Sequence, residues 1–261
     1  LVQSGMWCSL RTRPFSKVPR REDTPQALFV TAMDTNPLAA NAVPILEEYA
    51  DAFTGGLRVL SRIADCPLYL CHGPDFKPPD YDIGTLRCES FAGPHPAGLA
   101  GTHIHFLEGV HKEKSVWSIG YQEVIAIGKL FLTGRLWVER VIALAGPCVE
   151  KPRLLRVPWG ASVGELVTSE LRDGYTLDEL VDDGVRPVRL IAGSPVYGRH
   201  AVGSLAYLGR FQQQISILEE GNTRSFLGWM GPGLSAFTIT GMFLSRFLPK
   251  KLRPLTTSQC G

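Results

Sequence analysis

No C-x-x-C pair occurs among the six cysteines, Cys8, Cys66, Cys71, Cys88, Cys148 and Cys260, so zinc-ribbon and iron–sulfur spacings are missing. Without a basic-apolar-small leader, reduced and mostly buried thiols are the simplest assignment. No run approaches about 18 consecutive apolar residues, so the sequence predicts no transmembrane helix. The apolar stretch Ile125–Leu132 carries Lys129 and stops at Gly134. G-x-S-x-G, H-E-x-x-H and Walker sequences are also lacking. Neither charge dominates: 27 Lys and Arg against 25 Asp and Glu leave a net charge of +2, too little to imply nucleic acid. These absences make a soluble cytoplasmic polypeptide the default expectation. A start at Leu1 and a polar Thr256–Gly261 end suggest a fragment cut at both ends.

What is present is 261 residues with 44% hydrophobic content, enough for one large domain or two smaller ones. Ala27–Ala32 and Leu68–Cys71 read as short strands buried on both faces. Leu86–Phe91 alternates like a third strand, and Val116–Ile119 is a fourth that leads into a helix over Gln122–Leu132. Apolar residues from Ile45 to Ile63 follow helical spacing, with Pro44 suited to a first turn and Gly55-Gly56 a candidate break between two helices. Arg140–Leu144 is a further strand. This alternation of strand and helix argues for βαβ units and a mostly parallel sheet, a Rossmann-like layout over residues 1–150.

The pattern changes near Pro147. Leu154–Pro158 reads as a strand, and Ser162-Val163-Gly164-Glu165 has capping-box spacing. Thr176–Glu179 repeats that signal, and Val188–Ala192 is another buried strand. Residues 151–203 thus fit a small β-grasp-like module. Residues 204–261 read as a β-rich extension, with strands at Gln214–Leu218, Arg224–Trp229 and Ala236–Thr240 and a turn at Glu219–Asn222.

Candidate chemistry is sparse. Gly93–His105 packs three glycines, two prolines and three histidines into thirteen positions, a loop costly to order unless docked on something. His103 and His105 would share a face on a strand, as two metal ligands would, but would diverge on a helix. No acid lies within two positions of them, so satisfied or exposed histidines are the simpler reading. Asp34 and Asn36 follow a strand's carboxyl end, where α/β sheets place ligand-binding loops, although local turn chemistry, with the side chains bonding their own backbone before Pro37, is the simpler reading. The segment Ser4–Ser16 lies where a nucleotide-binding protein of this layout places a glycine-rich loop, yet side chains and Pro14 fill it. Arg11, Arg13, Lys17, Arg20 and Arg21 form one basic cluster, and Arg246, Lys250, Lys251 and Arg253 a second. Both read as solvated surface or as docking against an acidic partner or anionic lipid. Neither is interleaved with the aromatics that stack on bases.

Five stretches carry a resemblance: Leu10–Pro19, Val30–Ala40, Gly93–His103, Gly128–Gly134 and Ala206–Arg210. On these the chain resembles the A subunit of the bacterial sodium-translocating NADH:quinone oxidoreductases, over nearly all its length. The resemblance implies a central piece lacking that family's β-rich N-terminal and helical C-terminal domains. At greater distance the layout is similar to the flavoprotein subunit of respiratory complex I and to the C subunit of the related electron-transport complex. There a Rossmann-like domain precedes a ubiquitin-like, soluble-ligand-binding β-grasp module, and complex I carries a glycine-rich FMN loop. Leu10–Ser16 and Thr31–Pro37 stand at the places of that loop and of an acidic turn.

The resemblance implies a peripheral subunit on the cytoplasmic side of the bacterial inner membrane. It would belong to a complex that transfers electrons from NADH to ubiquinone coupled to sodium export. NAD and ubiquinone would be substrates of the whole complex, with flavins and iron–sulfur in other subunits and no cofactor in this fragment. Implied partners are the other subunits, membrane subunits included, with ubiquinone an open case and no nucleic acid. Two alternatives stand beside this: a flavin- or NADH-binding dehydrogenase domain, and a quinone-binding module. Arg11, Arg13, Lys17, His95 and His103 are the candidate partner-docking residues; no catalytic, cofactor-binding or metal-binding residue is assigned.

Overall fold

A computed structural model describes residues 1–112, 114–177, 185–221 and 244–247 of the chain. Two compact units emerge, Leu1–Val141 with Arg156–Pro158, and Ile142–Leu155 with Trp159–Gly261. Both mix helix and sheet, so the fold class is α/β with parallel and antiparallel pairing.

The first unit holds strands β1 (Arg11–Arg13), β2 (Leu28–Ala32), β3 (Leu68–His72), β4 (Leu86–Ser90) and β5 (Val116–Gly120). Its helices are α1 (Ala42–Glu48), α2 (Ala50–Ile63), α3 (Ala100–Leu107) and α4 (Tyr121–Thr133). The sheet runs β1-β5-β2-β3-β4, with β5, β2, β3 and β4 parallel and β1 added antiparallel on the β5 edge. Apolar residues on both faces of β2 and β3 follow from helices covering both sides. Phe29, Tyr69 and Cys71 pack with Ile104 of α3, the Phe29 and Tyr69 rings stacked 4.8 Å apart. Period-2 alternation sends Leu28, Val30, Leu68 and Leu70 to the opposite face, where they too are buried.

Two expectations from the sequence are corrected here. The helical run after Pro44 breaks at Tyr49, and Gly55 and Gly56 sit inside α2. Gly56 is there because α4 lies against it: a Cβ at Gly56 would meet the Val124 carbonyl oxygen at 2.1 Å. The glycine pair therefore serves helix packing, not termination. The Gly93–His105 loop is only half a loop, since Ala100–Leu107 is helical. On α3, His103 is buried and His105 exposed, so they do not share a face.

The second sheet contains β6 (Glu139–Ala145), β7 (Arg153–Pro158), β9 (Arg186–Ala192), β10 (Arg199–His200) and β11 (Gln214–Glu219), with β8 (Tyr175–Thr176) alongside β9. Its order is β10-β9-β11-β6-β7, β11 lying parallel to β6 and antiparallel to β9. Arg140–Leu144, read as continuing the first sheet, lies in β6 of this one. Helix α5 (Val163–Val167) starts where the capping box places it, the Glu165 N–H donating to Ser162 Oγ at 3.4 Å. The anticipated elements at Asp178–Val181, Arg224–Trp229 and Ala236–Thr240 lie outside the described residues.

Candidate functional site at the carboxyl ends of the first sheet

Among the four parallel strands, β3 and β4 follow β2 on one side while β5 returns to its other side, so the order reverses between β2 and β5. Open α/β sheets bind ligands beyond the carboxyl ends of their strands at such a point. Here those ends deliver Met33–Asn36 from β2, Gly73–Phe76 from β3, Phe91–Gly93 from β4, and Gly120 into α4 from β5.

The β2 turn is tightly organised. Asn36 donates to Asp34 Oδ1 twice, from its backbone N–H at 2.9 Å and from Nδ2 at 2.6 Å. Burial raises the Asp34 carboxyl above the usual carboxylate range, although both Asn36 bonds and the nearby His95 favour its ionised form. Between them Thr35 anchors the histidine-rich segment. Its Oγ1 accepts the Gly98 N–H at 2.8 Å and lies 3.4 Å from His95 Nδ1. Gly98 has to be glycine, because a Cβ there would sit 2.7 Å from the Thr35 nitrogen. The segment is thus ordered by docking on the β2 turn.

A cleft of about 370 Å³ opens between these loops, lined by Met33, Asp34, Asn41, Asp75, Phe76 and Phe91 among others. Asn41 caps α1 there, its side chain accepting the Val43 N–H at 3.0 Å. Two aromatic rings and a thioether facing two carboxylates and a carboxamide make a pocket suited to a flat, partly polar molecule. Behind it, His103 is sealed from solvent, with Nε2 2.9 Å from the Ala97 carbonyl and its ring 4.3 Å from that of Phe91. Burial pushes its imidazole down to about 4, so it is neutral at physiological pH.

The first turn of α4 is held as firmly. Gln122 embraces the Val141 peptide, donating from Nε2 to its carbonyl at 2.7 Å and accepting its N–H at 3.0 Å. Glu123 pairs with Arg140 at 2.8 Å, both side chains only 5% exposed. Buried Tyr121 accepts from Gln122 Nε2 at 3.4 Å.

The residues singled out from the sequence are not gathered at one place. Arg11 and Arg13 lie on β1 opposite Ser118 and Val116, and the chain then turns back so that the carbonyl of exposed Lys17 accepts the Thr12 N–H at 2.7 Å. His95 and His103 belong to the carboxyl-end region. Within Leu10–Ser16, Arg11–Arg13 form an edge strand. Among the described residues no group of three or more His, Cys, Asp or Glu is arranged to hold a metal. Thr35, Asn41, Gln122 and Arg140 were missed. Their one legible signal is the pair Gln122-Glu123 heading a helix whose next five residues, Val124–Gly128, are all buried, so no solvent face explains two polar side chains.

Fold and site together define an α/β protein with a polar-rimmed cleft at the carboxyl ends of β2, β3 and β4 of a parallel sheet. Residues 1–136 match the family model described as the NqrA second alpha/beta domain, and residues 141–203 match the NQRA C-terminal domain. The chain belongs to the NqrA family. It is 49% identical over 261 residues to the A subunit of the Na(+)-translocating NADH-quinone reductase of Pseudomonas aeruginosa (strain UCBPP-PA14) and to that of Vibrio parahaemolyticus serotype O3:K6. Identity to the polypeptide of the same name from Pasteurella multocida (strain Pm70) is 47%. Each match covers 100% of this chain and 56% of the relative, so the chain spans a little over half the length of the curated relatives it matches. Among the described residues, no helix is long and apolar enough to cross a membrane.

Proposed function

We propose that the chain forms part of a cytoplasmic-side, peripheral subunit of a sodium-translocating NADH:quinone reductase. In this reading it holds no redox centre and contributes architecture and docking surface. The observation that carries it is 49% identity sustained across all 261 residues to subunits of that name. The segment after β2 supports a scaffold role: Met33–Ala40 contains no glycine to admit a dinucleotide pyrophosphate, and α1 begins only at Ala42. The first sheet supports a Rossmann-like description, since its parallel strands, counted from β2, run 4-1-2-3. The second, counted from β6, runs 2-1-5-3-4 with α5 between its second and third strands, which supports a ubiquitin-like β-grasp. The test is complementation. In bacteria deleted for the A subunit, the full-length polypeptide carrying this chain should restore sodium-stimulated NADH:quinone reductase activity in membranes. Membranes that stay inactive while containing the folded polypeptide would refute the reading.

The cleft beside Asp34 favours one addition, that a quinone head group is received there. Its rings and thioether suit the flat face, and the Asn41 carboxamide suits a carbonyl oxygen. Calorimetric titration with a short-chain ubiquinone should show binding that Ala39→Phe, which fills the cleft, weakens at least about tenfold, about 1.4 kcal/mol. Equal heats from both proteins would place quinone elsewhere.

A further inference from the structure

Directly after β1 the chain folds back on itself. The Thr12 N–H donates to the Lys17 carbonyl at 2.7 Å, the Lys17 N–H to Thr12 Oγ1 at 3.1 Å, and that hydroxyl to the Pro14 carbonyl at 3.3 Å. Three bonds centred on Thr12 thus close a tight tip, Arg13–Ser16, on a strand fixed by its pairing with β5. At this tip Phe15 is 73% exposed with φ at +76°, and Ser16 follows at +50°. A lone exposed apolar side chain needs no explanation. This one does, because left-handed backbone is costly for a bulky residue and easy for asparagine or glycine. A ring in solvent offsets none of that strain within the fold, so its use lies outside the fold.

The flanks are basic. Residues 1–21 contain five Lys and Arg and no acid; with Glu22 and Asp23 counted, five cations against two carboxylates leave residues 11–23 at +3. Arg11 is committed to the Cys8 and Leu10 carbonyl oxygens. Lys17, Arg20 and Arg21 are exposed, and among the described residues their side chains form no ion pair. Asp23 Oδ2 accepts the Arg20 backbone N–H at 2.9 Å. Lys17 Nζ stands 6.0 Å from the Phe15 ring centre, and Val18 beside it is also exposed.

We infer that the Pro14–Val18 turn of the first unit is a contact for an anionic lipid surface. Phe15 enters the interfacial layer of the bilayer while Lys17, Arg20 and Arg21 meet lipid phosphates. Excess positive charge selects an anionic occupant. The form of the turn selects lipid over protein. Protein anchors cluster as packed aromatics and arginines in surfaces poor in lysine, whereas here one ring stands beside a lysine on a tight turn. One inserted side chain with a few cations gives weak, reversible attachment, which suits a polypeptide held mainly by other contacts. The inference rests on the reading of the chain as part of a peripheral subunit.

The test uses the full-length polypeptide carrying this chain. It should sediment with vesicles of phosphatidylglycerol and phosphatidylcholine in equal parts, not with phosphatidylcholine alone, and salt at about 1 M should release it. Lys17→Glu with Arg20→Glu should lower the bound fraction at least about tenfold. Phe15→Asn should lower it about fivefold while the thermal midpoint stays level or rises, because asparagine tolerates the left-handed backbone. A midpoint that falls together with binding would make the ring structural and overturn the inference. A photoreactive phenylalanine analogue at position 15, in membranes holding the assembled complex, should cross-link to lipid. Wild type that stays in solution, equal binding of wild type and both variants, or a cross-link to protein overturns the contact and leaves the subunit reading standing. Vesicle binding by a polypeptide that fails to restore reductase activity defeats the subunit reading alone.

Discussion

Gly128 of α4 lies so close to Ala52 of α2 that a Cβ added to it would sit 1.7 Å from the Ala52 carbonyl oxygen. The helices meet reciprocally, Gly56 against Val124 and Gly128 against Ala52, so two small residues set their separation. In each case the obstacle is backbone, which can yield only if the helices part. Gly128→Ala and Gly56→Ala should therefore each destabilise by about 3 kcal/mol, the upper part of the range for overpacking. Gly55 is the internal control. A Cβ there comes no closer than ordinary contact, 3.4 Å to the Leu132 side chain and 3.7 Å to the Gly128 Cα, so Gly55→Ala should be neutral or stabilising by up to about 1 kcal/mol. Chemical denaturation of the three variants decides the matter, and equal destabilisation at Gly55 and Gly56 would refute the packing argument.

This contact also shows where sequence reading stops. Buried strands β2, β3, β5 and β9 were legible because hydrophobic runs bounded by turn residues reflect burial on both faces. Helix α5 was legible because its cap is a local hydrogen bond. Gly55-Gly56 was misread because a glycine that ends a helix and one that admits a neighbouring helix look alike without the neighbour. Helix α3 was hidden for a related reason. The segment leading into it is rich in glycine and proline, and what orders that entry is Thr35, 63 residues before Gly98. In the site, Asp34 and Asn36 were visible as turn residues, while the Glu123–Arg140 pair, joining α4 to β6, had no local signature.

That pair gives a second test. Glu123 and Arg140 are buried and joined at 2.8 Å, so removing one partner leaves the other charge without compensation. Arg140→Met should cost about 3–5 kcal/mol in urea denaturation. The double variant Glu123→Leu with Arg140→Met should recover most of that loss, because apolar residues of similar volume remove both desolvation penalties together. If the double variant proves as unstable as the sum of the singles, the ion pair is not what burial there depends on.

Thr35 supplies a third. Its hydroxyl accepts the Gly98 N–H and faces His95 Nδ1, whereas valine keeps the shape and loses the acceptor. Thr35→Val should cost about 1–2 kcal/mol globally. Its larger effect should be local, with amide exchange at Gly98 and Leu99 accelerated at least about tenfold while the β2 and β3 amides stay protected. Uniform acceleration through the first sheet would mean that the loop is not an independently docked element.

The acid response of the chain should be governed in part by His103. Its Nε2–H donates to the Ala97 carbonyl, and Nδ1 has no partner among the described residues, so the buried ring is neutral. Burial lowers it to about 4, against about 6.5 for the residue in an unfolded chain. As pH falls through 6.5, the unfolded state takes up a proton that the folded state refuses until about 4. The stability this group contributes is therefore intact above pH 6.5 and is lost progressively down to pH 4, by about 3 kcal/mol in all. His103→Phe retains an aromatic ring beside Phe91 and abolishes the titration. It should be less stable than wild type at pH 7.5 by about 1 kcal/mol, for the lost bond to Ala97. Its stability should then fall more slowly on acidification, and the two curves should cross between pH 6.5 and 4.5. Urea denaturation at pH 7.5, 5.5 and 4.5 measures this, and parallel curves would show that His103 is solvated or already charged in the folded chain.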